Sequence, residues 1–122
     1  MATILVVEDE PTIREVVCDI LKASHTCRAV RTAEEGLELL AAEVFDVLIT
    51  NVKLPEMDGD EFMLRARELH PQLPVIVISG GYGYDDRRFL DAGAFGYLLK
   101  PFRADELEGL VARAAALDNS PI

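Results

Sequence analysis

Four short and almost unbroken apolar runs recur along the chain and restrict the folds open to it. They cover residues 3–7, 46–50, 74–78 and 95–99, are rich in Val, Ile and Leu, and lack polar alternation. Runs of this kind are typical of strands buried on both faces, which indicates a parallel sheet covered by helices. A fifth segment, residues 26–30, has mixed character and fits an edge strand of the same sheet.

The segments between these runs carry the helical period. In residues 11–23 the apolar side chains recur three, four, seven and eight positions apart, which places them on one stripe of a helix. Pro11 stands where a first helical turn tolerates proline, and Thr32 with Glu35 forms a capping-box pattern. The next three helices are predicted to begin at Thr32, at Asp58 or Gly59, and at Tyr84, and the last helix carries its apolar stripe from Leu107 to Leu117.

Strands that alternate with helices through short connections predict right-handed βαβ crossovers. The sequence therefore predicts an α/β fold, namely a doubly wound (βα)5 three-layer sandwich around a five-stranded parallel sheet. A length of 122 residues is common for one domain and short for two. We assign residues 1–118 to this domain and residues 119–122 to a C-terminal tail or the start of a linker.

Composition and charge exclude several classes of function. The formal net charge is -10 and the twelve Lys and Arg residues are scattered, so we expect no direct nucleic-acid binding. No apolar run approaches the eighteen or so residues of a membrane span. Cys18 and Cys27 fit no metal-binding spacing and are interpreted as ordinary free thiols. The first residues do not resemble a secretory signal, and we expect a cytoplasmic location.

Polar side chains stand at the carboxyl ends of four predicted strands, where function gathers in doubly wound sheets. Carboxylates at such an edge repel one another unless a cation lies among them, and hard oxygen ligands suit Mg²⁺. A hydroxyl and an ammonium group suit phosphoryl oxygens. The simpler alternative, that the acidic residues only begin a helix at its positive end, weakens when four strand ends converge. These residues are Glu8, Asp9 and Glu10, then Asn51, Ser79 and Lys100.

Four stretches of the chain share their order and spacing with a known family. They are ILVVEDEP, DVLITNVKLPEMDG, VIVISG and YLLKPF, and together they resemble the receiver domains of bacterial response regulators over nearly the whole chain. The resemblance implies a flavodoxin-like sheet with strand order 2-1-3-4-5. It implies a sensor histidine kinase or phosphotransfer protein as one partner, and a downstream protein or output domain as another. It also implies a monomer, or a weak dimer formed through the fourth helix, fifth strand and fifth helix.

The same resemblance implies a Mg²⁺ site at the acidic strand end. In it Asp9 binds the cation directly and Glu8 binds it through water. The backbone carbonyl of Lys53 and the side chain at Asn51 are the further ligands. Carboxylate, carbonyl and water oxygens are the ligands that Mg²⁺ prefers.

The resemblance also implies which residues handle a phosphoryl group and report its presence. Ser79 and Lys100 are the expected contacts of the phosphoryl oxygens. Tyr97 matches an aromatic position whose ring turns inward on activation, although a half-buried core aromatic is the alternative interpretation. Pro101 matches a proline preceded by a cis peptide bond, which would direct Lys100 into the site.

Asn51 departs from the family pattern, in which an aspartate attacks a phosphohistidine or small phosphodonor and forms an acyl phosphate. An amide nitrogen is a poor nucleophile and the amide oxygen is uncharged, so we expect no phosphorylation and weaker Mg²⁺ binding. The amide oxygen remains a candidate ligand. Either asparagine was introduced into a working receiver, or the protein is a natural pseudo-receiver that acts through protein contacts alone.

A third hypothesis is a Mg²⁺-dependent phosphate-ester hydrolase, since other doubly wound folds hydrolyse such esters with carboxylates. No second aspartate follows Asn51 at the spacing that a phosphatase acid needs, and no substrate-capping insertion is present. We therefore rank this hypothesis last and expect that the chain is not an enzyme.

Overall fold

The computed structural model describes residues 2–80 and 86–116. The predicted start of the fourth helix at Tyr84, the end of the last stripe at Leu117, and the predicted tail at 119–122 lie outside these ranges. The strands are β1 Thr3–Val7, β2 Thr26–Val30, β3 Val47–Asn51, β4 Val75–Ser79 and β5 Gly96–Leu99. The helices are α1 Pro11–Leu21, α2 Ala33–Ala42, α3 Gly59–Leu69, α4 Asp86–Asp91 and α5 Ala104–Ala115.

The five strands form one parallel sheet in the order β2-β1-β3-β4-β5, which confirms the predicted topology. The register places Val7 opposite both Val30 and Thr50. On the other side of β3, Asn51 pairs with Ile78, one residue before Ser79. The carboxyl ends of β1, β3, β4 and β5 therefore meet at one edge of the sheet, as a parallel arrangement requires.

Two apolar clusters cover the two faces of the sheet and explain the three layers. On one face, β1, β3 and β4 pack against α2, α3 and α4 through buried side chains that include Leu48, Phe62 and Phe89. On the other face the same strands pack against α1 and α5 through a second set that includes Ile49 and Leu107. Burial on both faces is why these strands read as continuous apolar runs in the sequence.

The prediction that the fourth run is buried on both faces is wrong. Strand β5 lies at the edge of the sheet, and the side chains of Tyr97 and Leu99 are 37% and 47% exposed. Its apolar sequence resembles that of a central strand, but within residues 2–80 and 86–116 only β4 pairs with it. By contrast, the mixed segment 26–30 forms the other edge strand, β2, as expected.

Local sequence signals fix the helix starts near the functional edge. Pro11 occupies the first turn of α1, and the Thr32 hydroxyl accepts a hydrogen bond from the backbone N–H of Glu35 at 3.2 Å. Gly59 begins α3 so close to the end of β3 that a Cβ there would lie 2.6 Å from the Val52 carbonyl oxygen. This close approach holds the loop after β3 against the edge of the sheet.

Candidate functional site

Glu8 lies inside the fold although it follows a strand end. Its backbone N–H donates to the Val30 carbonyl at 3.1 Å, and its own carbonyl accepts from the Arg14 guanidinium at 2.9 Å. The residue is only 2% exposed, whereas the neighbouring Asp9 is exposed. The main-chain contacts therefore fix one buried and one exposed carboxylate at the end of β1.

The amide nitrogen of Asn51 points directly at this acidic pair. Asn51 Nδ2 donates to Glu8 Oε2 at 2.9 Å and to the Lys53 carbonyl oxygen at 3.0 Å, and lies 3.4 Å from Asp9 Oδ1. Carboxylate and carbonyl oxygens accept hydrogen bonds, so these surroundings favour the nitrogen rather than the oxygen of the amide. Two N–H groups are thus shared among three acceptors.

The three acceptors around this nitrogen are the oxygens that the sequence suggested as Mg²⁺ ligands. Their chemistry fits Mg²⁺, because two carboxylates and a carbonyl converge on one point. Within the described residues, however, no three His, Cys, Asp or Glu side chains are grouped so that they could hold a metal. Glu8, Asp9 and the Lys53 carbonyl would hold the cation, which when bound would neutralise the two carboxylates.

Lys100 supplies a positive charge on the other side of Glu8. Lys100 Nζ lies 3.3 Å from Glu8 Oε1, and the two side chains are 23% and 2% exposed. Among the described residues Glu8 Oε1 has no hydrogen-bond partner, so its contact with Lys100 is an ion pair. The ammonium group therefore acts on this oxygen by charge, while the other carboxylate oxygen accepts from Asn51.

The pKa of the Glu8 carboxyl is raised above its ordinary value. Burial is the largest cause, because it disfavours the charged form, and a hydrogen bond with Asp9 acts in the same direction. The charge of Lys100 opposes this shift but does not cancel it. Negative charge is therefore costly at this edge unless a positive or hydrogen-bond-donating group faces it.

Lys100 and Ser79 are joined through the main chain. The backbone N–H of Lys100 donates to the Ser79 carbonyl at 2.8 Å, and the Lys100–Pro101 peptide bond is cis. Ser79 is fully buried at the end of β4. The structure thus brings both residues to the edge that carries Asn51, whereas their contact with a phosphoryl group stays a prediction.

Tyr97 lies in the edge strand β5 and is partly exposed. More than a third of the residue is exposed, and it belongs to neither apolar cluster. An inward turn of the ring on activation stays a prediction. The alternative interpretation as a half-buried core aromatic stays a prediction as well.

Two contacts of the site could not be found by sequence reasoning. We expected the amide oxygen of Asn51 as a candidate ligand, but the nitrogen faces the acidic pair. We also expected Lys100 to meet a phosphoryl group, and here it meets Glu8. Residue types and strand ends place these side chains at one edge, but side-chain torsions decide which atoms touch, and the sequence carries no signal for them.

Comparisons with known proteins place the sequence in a family. Residues 4–112 match the response regulator receiver domain family. The chain is 41% identical over 117 residues to the response regulator protein FleR of Pseudomonas aeruginosa, and 39% identical over 111 residues to the DNA-binding transcriptional regulator NtrC of Escherichia coli. The alignments cover 93% and 89% of this chain but 24% of each relative, so the chain spans about a quarter of these curated relatives.

Solved structures give the same result for the fold. A putative response regulator from Chloroflexus aurantiacus superposes with a TM-score of 0.89 at 32% identity, covering 95% of this chain and 98% of that one. A response regulator receiver domain protein from Clostridium thermocellum gives 0.88 at 28% identity, with 94% of each chain covered. The fold is therefore flavodoxin-like. No helix in the described ranges is long and apolar enough to cross a membrane.

Proposed function

Since this chain belongs to the response regulator receiver family, we propose that it is a two-component receiver domain in which Asn51 blocks the phosphorylation step. The observation that carries the proposal is the set of contacts made by Asn51 Nδ2 with Glu8, Asp9 and the Lys53 carbonyl. In the parent form with aspartate at this position, a histidine kinase or phosphotransfer protein would supply the phosphoryl group.

The block follows from the chemistry of the amide. A carboxylate oxygen carries the negative charge and the free electron pair that attack phosphorus, whereas the amide nitrogen has two hydrogens and shares its electron pair with the carbonyl. In this chain the nitrogen also donates its hydrogens to the surrounding oxygens. Asn51 is therefore expected to be inert toward a phosphodonor.

The same contacts favour an unphosphorylated resting arrangement of the site. The Asn51 amide supplies hydrogens to one oxygen of Glu8 while the Lys100 ammonium faces the other. Each carboxylate oxygen of this buried residue therefore faces a positive or donating group from the protein itself. Lys100 is engaged with Glu8 and would have to leave it in order to meet a phosphoryl group.

We propose the surface of α4, β5 and α5 as the contact for a downstream protein or output domain. Leu90, Tyr97 and Leu99 are exposed apolar residues on this side and are 41%, 37% and 47% exposed. A weak dimer would use the same surface. Because the relatives FleR and NtrC are about four times longer than the matched region, an output domain in the parent protein is part of this proposal.

A second candidate is a natural pseudo-receiver that never needs phosphate. The observation in its favour is that the Asn51 nitrogen donates to Glu8 and lies 3.4 Å from Asp9, so the protein itself supplies a hydrogen-bond donor to the acidic pair. This protein would act through the same surface by binding alone. The two candidates differ in whether aspartate at position 51 restores phosphate acceptance.

Intact mass spectrometry after incubation with Mg²⁺ and acetyl phosphate separates them. We expect no mass change for this chain and a gain of one phosphoryl group for Asn51→Asp. The double variant Asn51→Asp with Asp9→Asn is the control, because it keeps the nucleophile and removes the direct cation ligand. The double variant should gain little or no phosphoryl mass.

The other outcomes each have a definite meaning. If Asn51→Asp also fails to react, the pseudo-receiver candidate replaces the first proposal. A phosphoryl group located on Asn51 itself by peptide mapping would contradict the account of the site given above.

A further inference from the structure

Cys18 and Cys27 lie in contact and share no residue with the acidic edge. Cys18 is in α1 and Cys27 is in β2, and their Sγ atoms are 2.8 Å apart. Both are free thiols and both are partly exposed. The sequence suggested unrelated thiols, because nine positions separate the two cysteines. Neither this spacing nor the predicted elements shows that α1 turns Cys18 toward the edge strand.

The backbone around the pair is held firmly on both sides. Cys27 pairs with Ile4 in the sheet, and α1 is anchored beside it by the buried Val17 and Leu21. Both cysteines pack against the same apolar cluster. A disulfide has a sulfur separation of about 2.05 Å, so the bond requires the sulfurs to approach by less than an ångström.

The two thiols are chemically unequal. A hydrogen bond from Cys27 lowers the pKa of the Cys18 thiol, and the same bond raises the pKa of the Cys27 thiol. The thiolate is the reactive form of cysteine, so Cys18 is the expected nucleophile and Cys27 the resolving thiol.

We propose that Cys18 and Cys27 form a redox modification site that a low-molecular-weight disulfide, such as oxidised glutathione, converts to an intramolecular disulfide. The Cys18 thiolate attacks one sulfur of the small disulfide, which forms a mixed disulfide and releases one thiolate. Cys27 loses its proton to water and attacks the Cys18 sulfur, which forms the Cys18–Cys27 bond and releases the second thiolate. Two protein thiols are oxidised, and one small disulfide is reduced to two thiols.

The new bond would fix α1 to the edge of the sheet. Helix α1 also carries Arg14, whose guanidinium donates to the Glu8 carbonyl at 2.9 Å, so the same helix contacts the acidic edge and carries Cys18. Closing a loop of this length is expected to raise Tm by about 10 °C for a domain of this size.

The experiment uses the full chain in a glutathione redox buffer, quenched with acid and analysed by intact mass and by peptide mapping. We expect the loss of two hydrogens, a Cys18–Cys27 linked peptide, a monomer on a non-reducing gel, and a rise in Tm that dithiothreitol reverses. Cys27→Ser should instead keep one glutathione on Cys18, and Cys18→Ser should react more slowly.

Three results would overturn the proposal. They are stable glutathione adducts on the unmodified chain without loss of two hydrogens, a disulfide-linked dimer as the main product, and bond formation only after the chain is unfolded in urea. A fourth result would also overturn the proposal. It is that the unmodified chain does not react at all in a glutathione buffer in which the Cys27→Ser variant is modified at Cys18, because the paired thiols would then protect each other.

Discussion

Replacing Asn51 by aspartate changes the electrostatics of the site before any phosphodonor is present. The variant loses the donor hydrogens that face Glu8, Asp9 and the Lys53 carbonyl, and places a third carboxylate against the acidic pair. The Asn51 amide faces the acidic pair with donor hydrogens, as a bound cation would face it with positive charge. The Asn51→Asp variant must therefore be less stable than this chain without divalent ions, and it must recover stability when Mg²⁺ is added.

The size of the loss can be worked from the contacts. Hydrogen bonds to charged groups contribute about 1.5–3 kcal/mol each, and Asn51 donates at 2.9 Å to a Glu8 carboxylate that is 2% exposed. Two unit charges about 4 Å apart repel by about 4 kcal/mol at an effective dielectric of 20. Proton uptake by the carboxylates of the Asn51→Asp variant relieves part of this repulsion. We expect a net loss of about 3 kcal/mol near neutral pH, or about 10 °C in Tm.

The pH dependence has a definite sign. The pKa of Glu8 is already raised in this chain, and a third carboxylate at position 51 is expected to raise the pKa of Glu8 further. A carboxyl whose pKa is higher in the folded state than in the unfolded state contributes stability below the unfolded value, and loses it as pH rises through the folded value. The stability gap between Asn51→Asp and this chain should therefore narrow as pH falls toward 4.5.

The assay is urea denaturation followed by circular dichroism, first with a chelator and then across a Mg²⁺ titration. Asn51→Ala is the matched control, because it removes the amide without adding charge and should lose about half as much stability. Mg²⁺ should stabilise Asn51→Asp strongly and this chain weakly, since a ligand stabilises only as far as it binds the folded state. Equal stability of both proteins in chelator, or equal stabilisation of both by Mg²⁺, would refute the reasoning.

Two further predictions concern packing and charge near the same edge. Lys100→Met should destabilise the domain by about 2 kcal/mol because it leaves the buried Glu8 carboxylate without its cation, whereas Lys22→Met, from an ion pair about 70% exposed, should cost under about 0.5 kcal/mol. Equal effects in thermal melts would count against the ion pair. Gly59→Ala should cost about 2–3 kcal/mol, because its Cβ would lie 2.6 and 2.8 Å from two carbonyl oxygens, and Gly109→Ala, with its nearest contact at 3.7 Å, should be neutral or stabilising. A Gly59→Ala domain as stable as the Gly109→Ala one would show that the loop after β3 yields easily.

Most of the fold could be predicted from hydrophobic periodicity, because burial imposes it directly on the residue types. The runs that became β1, β3 and β4 are apolar since helices cover both faces of those strands. The same signal misled for β5, whose apolar residues Tyr97 and Leu99 face solvent at the sheet edge. An apolar run therefore does not by itself show that both faces of its strand are buried in the core of the domain.

For the site, the sequence by itself determined which residues meet at one edge, because parallel strands bring their carboxyl ends together whatever the side chains do. Only the tertiary structure decided which atoms touch. It turned the Asn51 nitrogen toward Glu8 and Asp9, and it set Lys100 against Glu8. It also brought Cys18 and Cys27 into contact across two elements. Strand order follows from patterns many residues long, whereas these contacts depend on single torsions and on packing between distant segments, which no local pattern encodes.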